Sequence, residues 1–208
     1  MNFQEPRGAY KMKILHIPAL KKEIKYNPQI FDYLPDKLHI LYSIQFKELA
    51  EEIAKHLGKR VLAIEQVLGC SEIKPKASLL LIGSGRFHAV NIAYSTKTPV
   101  YIYDGKISQI TQKDIQEYEK QQQAKLSLFL NAKKIGIIIS TKKGQNSKVD
   151  ISQLRYLYPD KEFYLFLADN INLLELENFS IDFWVNTACP GLELDSKKII
   201  NIKKINKN

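Results

Sequence analysis

Cysteine is scarce in this chain, and its scarcity limits the covalent chemistry available to the fold. Among 208 residues there are two cysteines, Cys70 and Cys189, and neither belongs to a CxxC pair. The N-terminus lacks an apolar segment followed by a small-residue cleavage site, so nothing indicates export to an oxidising compartment. We therefore expect no structural disulfide and a cytoplasmic location. By spacing alone, the expectation for each cysteine is a buried, inert thiol.

Long hydrophobic runs are also missing. A membrane-spanning helix needs about 18 or more consecutive apolar residues, whereas the longest apolar stretches here, 79–83 and 135–140, have the length of a strand. Hydrophobic residues make up 45% of the chain and charged residues 25%. This balance is typical of a folded globular protein with no membrane contact.

Several catalytic motifs are absent from the sequence. The order GxxxxGK[ST] of a nucleoside triphosphatase does not occur, and the four histidines form no HExxH zinc motif. No GxSxG elbow surrounds a serine. A GxG pair is present at Gly83 and Gly85, but the third glycine of a dinucleotide fingerprint is not. A P-loop nucleoside triphosphatase, an HExxH zinc enzyme and a GxSxG serine hydrolase are thereby excluded, and the dinucleotide fingerprint is incomplete.

The net charge of +9 makes an acidic partner plausible, because 31 Lys and Arg face 22 Asp and Glu. The excess is diffuse, however, and lacks the interleaved aromatic residues of a nucleic-acid stacking platform. We therefore expect solvated lysines and no direct nucleic-acid binding. The lysines concerned lie at element ends and in a basic tail: Lys21, Lys22, Lys133, Lys134, Lys142, Lys143, Lys197, Lys198, Lys203, Lys204 and Lys207.

Apolar runs of strand length alternate with helical periodicity along the chain, which predicts an α/β fold with mainly parallel sheets flanked by helices. The order of elements repeats, so we expect two similar small Rossmann-like domains. The predicted divisions are a leader at 1–12, a first domain at 13–110, a long exposed linking helix at 111–133 and a second domain at 134–208. The predicted strands are 13–18, 38–43, 61–65, 79–83, 99–104, 135–140, 162–167 and 181–185, and the main helices are 44–57, a segment after residue 85, 148–157 and 170–178.

Three unusual loops follow predicted strands at the end where parallel sheets bind ligands: IGSGRFH (82–88), STKKGQ (140–145) and VNTACPG (185–191). Gly83 and Gly85 would let the backbone approach a ligand, and Arg86 offers a planar donor fork for a carboxylate. A tight turn alone would explain the glycines equally well. For His88, a structural hydrogen bond is favoured over a role as base or ligand.

Taken in series, these segments resemble one family, the diphthamide synthases or 2-(3-amino-3-carboxypropyl)histidine synthases. VLGC, IGSGRFH and NTACP in this order are far more specific than any of them alone. The segments that carry the resemblance are LYSIQF (41–46), QVLGCS (66–71), the stretch 79–104, ISTKKGQ (139–145) and FWVNTACPGLELD (183–195).

The resemblance implies three α/β domains that each give one cysteine thiolate to a central [4Fe–4S] cluster, with S-adenosylmethionine at the iron that lacks a cysteine. It assigns the second family cysteine to Cys70 and the third to Cys189. In the family, reductive cleavage of S-adenosylmethionine gives a 3-amino-3-carboxypropyl radical that adds to a histidine of elongation factor 2. The implied cofactor-binding residues are Gln66, Gly83, Ser84, Gly85, Arg86, His88, Lys142, Lys143 and Gln145.

The resemblance does not extend to the family's first domain and its cysteine. Gly191 also stands where a basic residue is usual in the family. We therefore expect a transferase that is active only with a polypeptide supplying the missing domain. A non-catalytic partner subunit of a full-length synthase, or an elongation factor 2 binding protein, is the alternative, and an unrelated two-domain nucleotide-binding protein is a third. The expected partners are elongation factor 2 and that polypeptide or a full-length paralogue, in a homo- or hetero-oligomer.

Overall fold

The computed structural model describes residues 19–21, 26–68, 71–141, 150–193 and 196–205. The leader and the predicted first strand at 13–18 lie outside these residues. The strands are β1 (Leu38–Tyr42), β2 (Val61–Gln66), β3 (Ser78–Ile82), β4 (Val100–Tyr103), β5 (Ile107–Gln109), β6 (Lys134–Ser140), β7 (Glu162–Ala168), β8 (Phe183–Asn186) and β9 (Ile199–Asn201). The helices are α1 (Lys47–Leu57), α2 (Arg86–Thr96), α3 (Gln112–Asn131), α4 (Ile151–Leu157), α5 (Leu173–Leu176) and α6 (Ile202–Ile205).

The first sheet has the strand order β2-β1-β3-β4-β5, and all neighbours in it are parallel except the hairpin of β4 and β5. The second sheet has the order β7-β6-β8-β9 and is parallel throughout. Parallel neighbours require crossover connections, and α1, α2 and α4 supply helices for three of them. The predicted α/β class with mainly parallel sheets is therefore confirmed.

Both faces of the first sheet are covered, which explains why its central strand is apolar without alternation. Leu80 and Ile82 of β3 pack in one cluster with α1, whereas Leu79 and Leu81 pack in another with α2. All four side chains are buried. The run LLLI is thus explained as a strand enclosed by helices on either side.

Helix α3 begins with a capping box in which Thr111 and Asp114 bond each other's backbone N–H groups. The prediction of a long helix here is confirmed, but its description as an exposed linker is only partly right. Tyr118 is buried in a core cluster of the first sheet, and Phe129 is buried in a core cluster of the second. Helix α3 therefore packs against both halves, while the predicted domain boundaries stay a prediction.

Three elements were not expected from the sequence. The short strand β5 pairs only with β4 across a turn containing Gly105, and β9 with α6 forms the end of the described chain. Each has three or four residues, which is too short for a periodic pattern to emerge. The predicted helix at 44–57 starts as a 3₁₀ turn at Ile44–Phe46 before α1 begins.

In the part of the chain that the structure describes, no helix has the length and apolarity to cross a bilayer.

Candidate functional site at the carboxyl ends of the strands

The glycine loop that follows β3 has a backbone that only glycine adopts readily. Gly83 has φ +142° and Gly85 has φ +146°, and Gly85 caps the start of α2. A β-carbon on Gly83 would lie 3.3 Å from the ring of Phe46 and from Oγ of Ser43. The loop therefore needs both glycines for its own shape, with exposed Ser84 between them at the carboxyl edge of the sheet.

Arg86, the predicted carboxylate binder, already holds an internal carboxylate. Its Nη2 lies 2.8 Å from both Oδ1 and Oδ2 of Asp114, at the start of α3. The pKa of Asp114 is lowered to about 2, chiefly by the hydrogen bond from the Thr111 hydroxyl and also by the Thr111 backbone N–H and by Arg86. A ligand carboxylate would share or displace this partner, so a ligand role for Arg86 stays a prediction.

Replacing Asp114 with asparagine is expected to destabilise the protein at neutral pH by about 1 kcal/mol, because the first turn of α3 loses the carboxylate that accepts the Thr111 backbone N–H and pairs with Arg86. The folded-state pKa of Asp114 is depressed from 3.8 to about 2. Its contribution to stability is therefore present above pH 4 and is lost as the pH falls through about 2. We expect the difference between the free energies of unfolding of the wild-type and variant proteins, measured with urea, to be smaller at pH 3 than at pH 7. An equal gap at both values would contradict the assignment.

His88 lies in the first turn of α2, with its ring close to Gly85 and edge-on to Phe87 at 5.6 Å between centroids. Its Nδ1 is buried and has no hydrogen-bond partner among the described residues. The structural hydrogen bond that the sequence favours is thus not formed by this atom. A role for His88 beside the glycine loop stays a prediction.

The loop that follows β2 contains the first predicted cluster ligand. Gln66 is exposed at the end of β2, beside Tyr42 of β1. The Val67 N–H donates to the carbonyl of Tyr42 at 2.8 Å, and the Leu68 N–H donates to Oγ of Ser71 at 2.8 Å. Cys70 itself lies outside the described residues, as do Lys142, Lys143 and Gln145 of the loop after β6.

Cys189 lies in the loop that follows β8, and its backbone is held from two sides. The side-chain amide of Asn186 donates to the Cys189 carbonyl at 2.7 Å, and the Leu192 N–H donates to the same carbonyl at 3.2 Å. The Ala188 N–H in turn donates to Oδ1 of Asn186 at 2.8 Å. The Cys189 thiol is free and half-buried. A β-carbon on Gly191 would lie 3.5 Å from Cys189 Sγ, so the glycine leaves the thiol uncovered on that side.

Helix α6 contacts the segments that follow both cysteine positions. Lys203 donates to Oε1 of Glu72 at 2.8 Å, and Lys204 lies 2.5 Å from Oε2 of Glu193. The two polar loops are therefore close to a common element, although they belong to different sheets. The expectation of a solvated lysine holds for Lys203, which is exposed, but it is wrong for Lys204, which is half-buried.

Sequence reasoning missed the buried polar residues around Glu193. A glutamate in a loop and a lysine near the C-terminus carry no local signal of burial, because charged residues are exposed unless they are paired. Their pairing depends on residues far away in the chain. The buried residues are Tyr118, Lys125, Glu193 and Asn201, and the half-buried Lys204 lies beside them.

Across the described residues, no three or more His, Cys, Asp and Glu side chains lie together as a metal site. The described part of the chain thus contains the Cys189 thiol, a glycine loop and a capped helix start, each in a segment that follows a strand. The sequence as a whole identifies the family. Residues 10–199 match the family model of the diphthamide synthesis proteins. The chain belongs to this family.

Two archaeal relatives illustrate the likeness to diphthamide synthesis proteins. The 2-(3-amino-3-carboxypropyl)histidine synthase of Methanocaldococcus jannaschii is 32% identical over 167 residues, which cover 76% of this chain and 46% of the relative. The synthase of Pyrococcus horikoshii is 31% identical over 135 residues, which cover 62% of this chain and 40% of the relative. The chain thus spans less than half the length of these relatives.

Solved structures agree with the fold of the diphthamide synthesis family. The crystal structure of Dph2 from Pyrococcus horikoshii superposes with a TM-score of 0.72 at 24% identity and covers 86% of this chain and 59% of that chain. The structure of the same protein with a 4Fe-4S cluster has a TM-score of 0.72 at 25% identity and covers 85% and 58%.

The donor chemistry of the described loop fits an iron–sulfur cluster. Thiolates are the protein ligands that such clusters prefer. Cys189 is a free thiol on a half-buried residue, close in space to Gly191.

Proposed function

We propose that this chain takes part in diphthamide biosynthesis as part of a 2-(3-amino-3-carboxypropyl)histidine synthase. In this proposal Cys70 and Cys189 supply two of the thiolates that hold a [4Fe–4S] cluster. The reaction transfers the 3-amino-3-carboxypropyl group of S-adenosylmethionine to a histidine of elongation factor 2, in the cytoplasm. The observation that carries the proposal is the free thiol of half-buried Cys189 in the loop after β8, in a chain of this family.

The residues of this chain would bind and orient the reactants. When bound, the cluster supplies the electron that cleaves S-adenosylmethionine by radical chemistry. The glycine loop would admit the polar end of the substrate, because Gly83 and Gly85 present backbone without side chains. Arg86 would exchange one bond to Asp114 for a bond to the substrate carboxylate. Lys142, Lys143, Gln145, Gln66 and His88 are the remaining proposed contacts.

A third thiolate must come from outside these 208 residues, because the chain has two cysteines. We propose that another polypeptide segment carrying the family's first domain supplies it, so that the assembled protein is the active transferase. The alternative is a non-catalytic subunit that binds a full-length synthase or elongation factor 2.

Anaerobic reconstitution with iron and sulfide tests the proposal. We expect a brown protein whose iron content rises when a polypeptide with the family's first domain is added. The complete mixture should then transfer label from carboxyl-labelled S-adenosylmethionine to elongation factor 2. Iron binding no greater than that of a variant lacking both cysteines would overturn the cluster assignment. A full-length synthase gene in the same genome would instead favour the partner subunit.

A further inference from the structure

The carboxylate of Glu193 is a buried charge in the loop that contains Cys189. Glu193 is only 3% exposed and is the last residue of the 3₁₀ turn Pro190–Glu193, which begins immediately after Cys189. Two cations compensate the charge: Lys204 lies 2.5 Å from Oε2, and the buried Lys125 donates to the Glu193 carbonyl at 2.5 Å. A buried carboxylate is strongly destabilising unless it is paired in this way.

The same carboxylate joins the loop to the neighbouring strand. Oε1 of Glu193 accepts the backbone N–H of Asn201, the last residue of β9. The side-chain amide of Asn201 contacts the carbonyl of Ala188 at 3.5 Å. The chain is therefore fastened on both sides of Cys189, at Ala188 and at Glu193.

Lys204 connects this loop to helices α2 and α3 through hydrogen bonds. Its ammonium donates to the hydroxyl of Tyr118 at 2.8 Å and to Oε1 of Gln122 at 2.9 Å, both on α3. The Tyr118 hydroxyl donates to Oδ1 of Asn91 on α2, the helix that the glycine loop starts. Burial raises the pKa of Tyr118, and the nearby Glu193 charge raises it further. The tyrosine therefore stays a neutral hydrogen-bonding group at physiological pH.

From these contacts we propose that Glu193 is a positioning residue for Cys189, and that Lys204 fixes its carboxylate to the rest of the protein. The pair holds the Cys189 thiol in one place relative to α2 and α3. The inference rests on the proposed function, because it concerns a thiol assigned there to the cluster. The position of the thiol is nevertheless a property of the chain without iron.

The alkylation rate of Cys189 tests the proposal in the iron-free protein. In a Cys70→Ser background, Cys189 is the single thiol, and its reaction with iodoacetamide under native conditions reports how well the loop is held. We expect Lys204→Met and Glu193→Gln each to raise the rate about tenfold, because loss of a charged hydrogen bond favours local opening. Lys204→Arg, which keeps the cation, should restore a rate near that of the parent. Lys120→Met, a change at an exposed lysine of α3, should leave it unaltered.

A second background separates loop positioning from general stability. In Cys189→Ser, the single thiol is Cys70, and the same lysine and glutamate changes should not accelerate its alkylation. If Lys204→Met alone does not fold by circular dichroism, the double variant Lys204→Met and Glu193→Gln removes both charges and supplies the comparison. Unchanged Cys189 rates in folded variants, or equal acceleration at both thiols, would overturn the proposal.

Iron binding, and not alkylation, would show whether the proposed function is wrong. If the protein binds no iron on reconstitution, the cluster assignment fails while the alkylation result is unaffected. If it does bind iron, Lys204→Met should change the electron paramagnetic resonance spectrum of the reduced cluster, because one thiolate has lost its fixed position. A wild-type spectrum from this variant would count against positioning.

Discussion

Replacing Cys189 with alanine is expected to leave the protein colourless after anaerobic reconstitution with iron and sulfide. The methyl group of alanine offers no electron pair to iron, and carboxylates or water replace a thiolate poorly in such clusters. A cluster held by Cys70 alone would be lost during purification. Visible absorbance and iron per chain, measured beside the wild-type protein, give the result directly, and we expect both to fall to near background.

Cys70→Ala should have the same effect, which makes the two variants a matched pair. Ser95→Ala is the control, since it removes one oxygen atom from an exposed side chain of α2 and leaves both cysteine loops intact. Retained colour in both cysteine variants would refute the ligand assignment. Loss in one variant only would restrict the assignment to that cysteine.

Replacing Gly136 with alanine is expected to lower the free energy of unfolding by about 3 kcal/mol or more, because the added methyl group has no room. Gly136 of β6 pairs directly with Trp184 of β8. A β-carbon built on Gly136 would lie 2.3 Å from Cε3 and Cζ3 of the indole ring. Trp184 is only 5% exposed and packs edge-on against Phe166 at 4.7 Å, so its ring cannot easily withdraw. The midpoint and slope of urea unfolding measure the change.

Gly191→Ala is the steric control for Gly136→Ala. A β-carbon at residue 191 would make only an ordinary contact at 3.5 Å, so we expect unfolding to change by less than about 0.5 kcal/mol. The double variant Gly136→Ala and Trp184→Leu should lose less free energy of unfolding than the sum of the losses in the two single variants, because the smaller leucine leaves space for the alanine methyl group. A Gly136→Ala variant as stable as the wild-type protein would show that the sheet adjusts freely at this point.

Most of the regular structure could be predicted from the sequence, because burial leaves a periodic pattern on each element. The apolar run at 79–83 predicted a strand and the periodicity at 44–57 predicted a helix, and both are present as β3 and α1. The short elements were missed for the opposite reason. Strand β9 is defined by its pairing with Trp184 and its neighbours in β8, not by any pattern of its own.

In the candidate site, likewise, the sequence indicated local motifs but not the contacts between distant residues. The sequence indicated the two cysteines, the glycine loop and Arg86, since their chemistry is local to each motif. It did not indicate that Arg86 would pair with Asp114, because the partner lies on a helix that comes later in the chain. Cys70 and the loop after β6 lie outside the described residues, so their assignments stay predictions.

The sequence by itself thus indicated most of the strands and helices and the candidate site residues, since both depend on side-chain type and local spacing. Only the tertiary structure decided which charges meet. Glu193 and Lys204 look like solvated residues in the sequence, yet the packing of α6 against α3 buries the carboxylate and gives it a cation. A buried charge requires a partner, and that partner is supplied by the packing of separate elements, which no local pattern encodes.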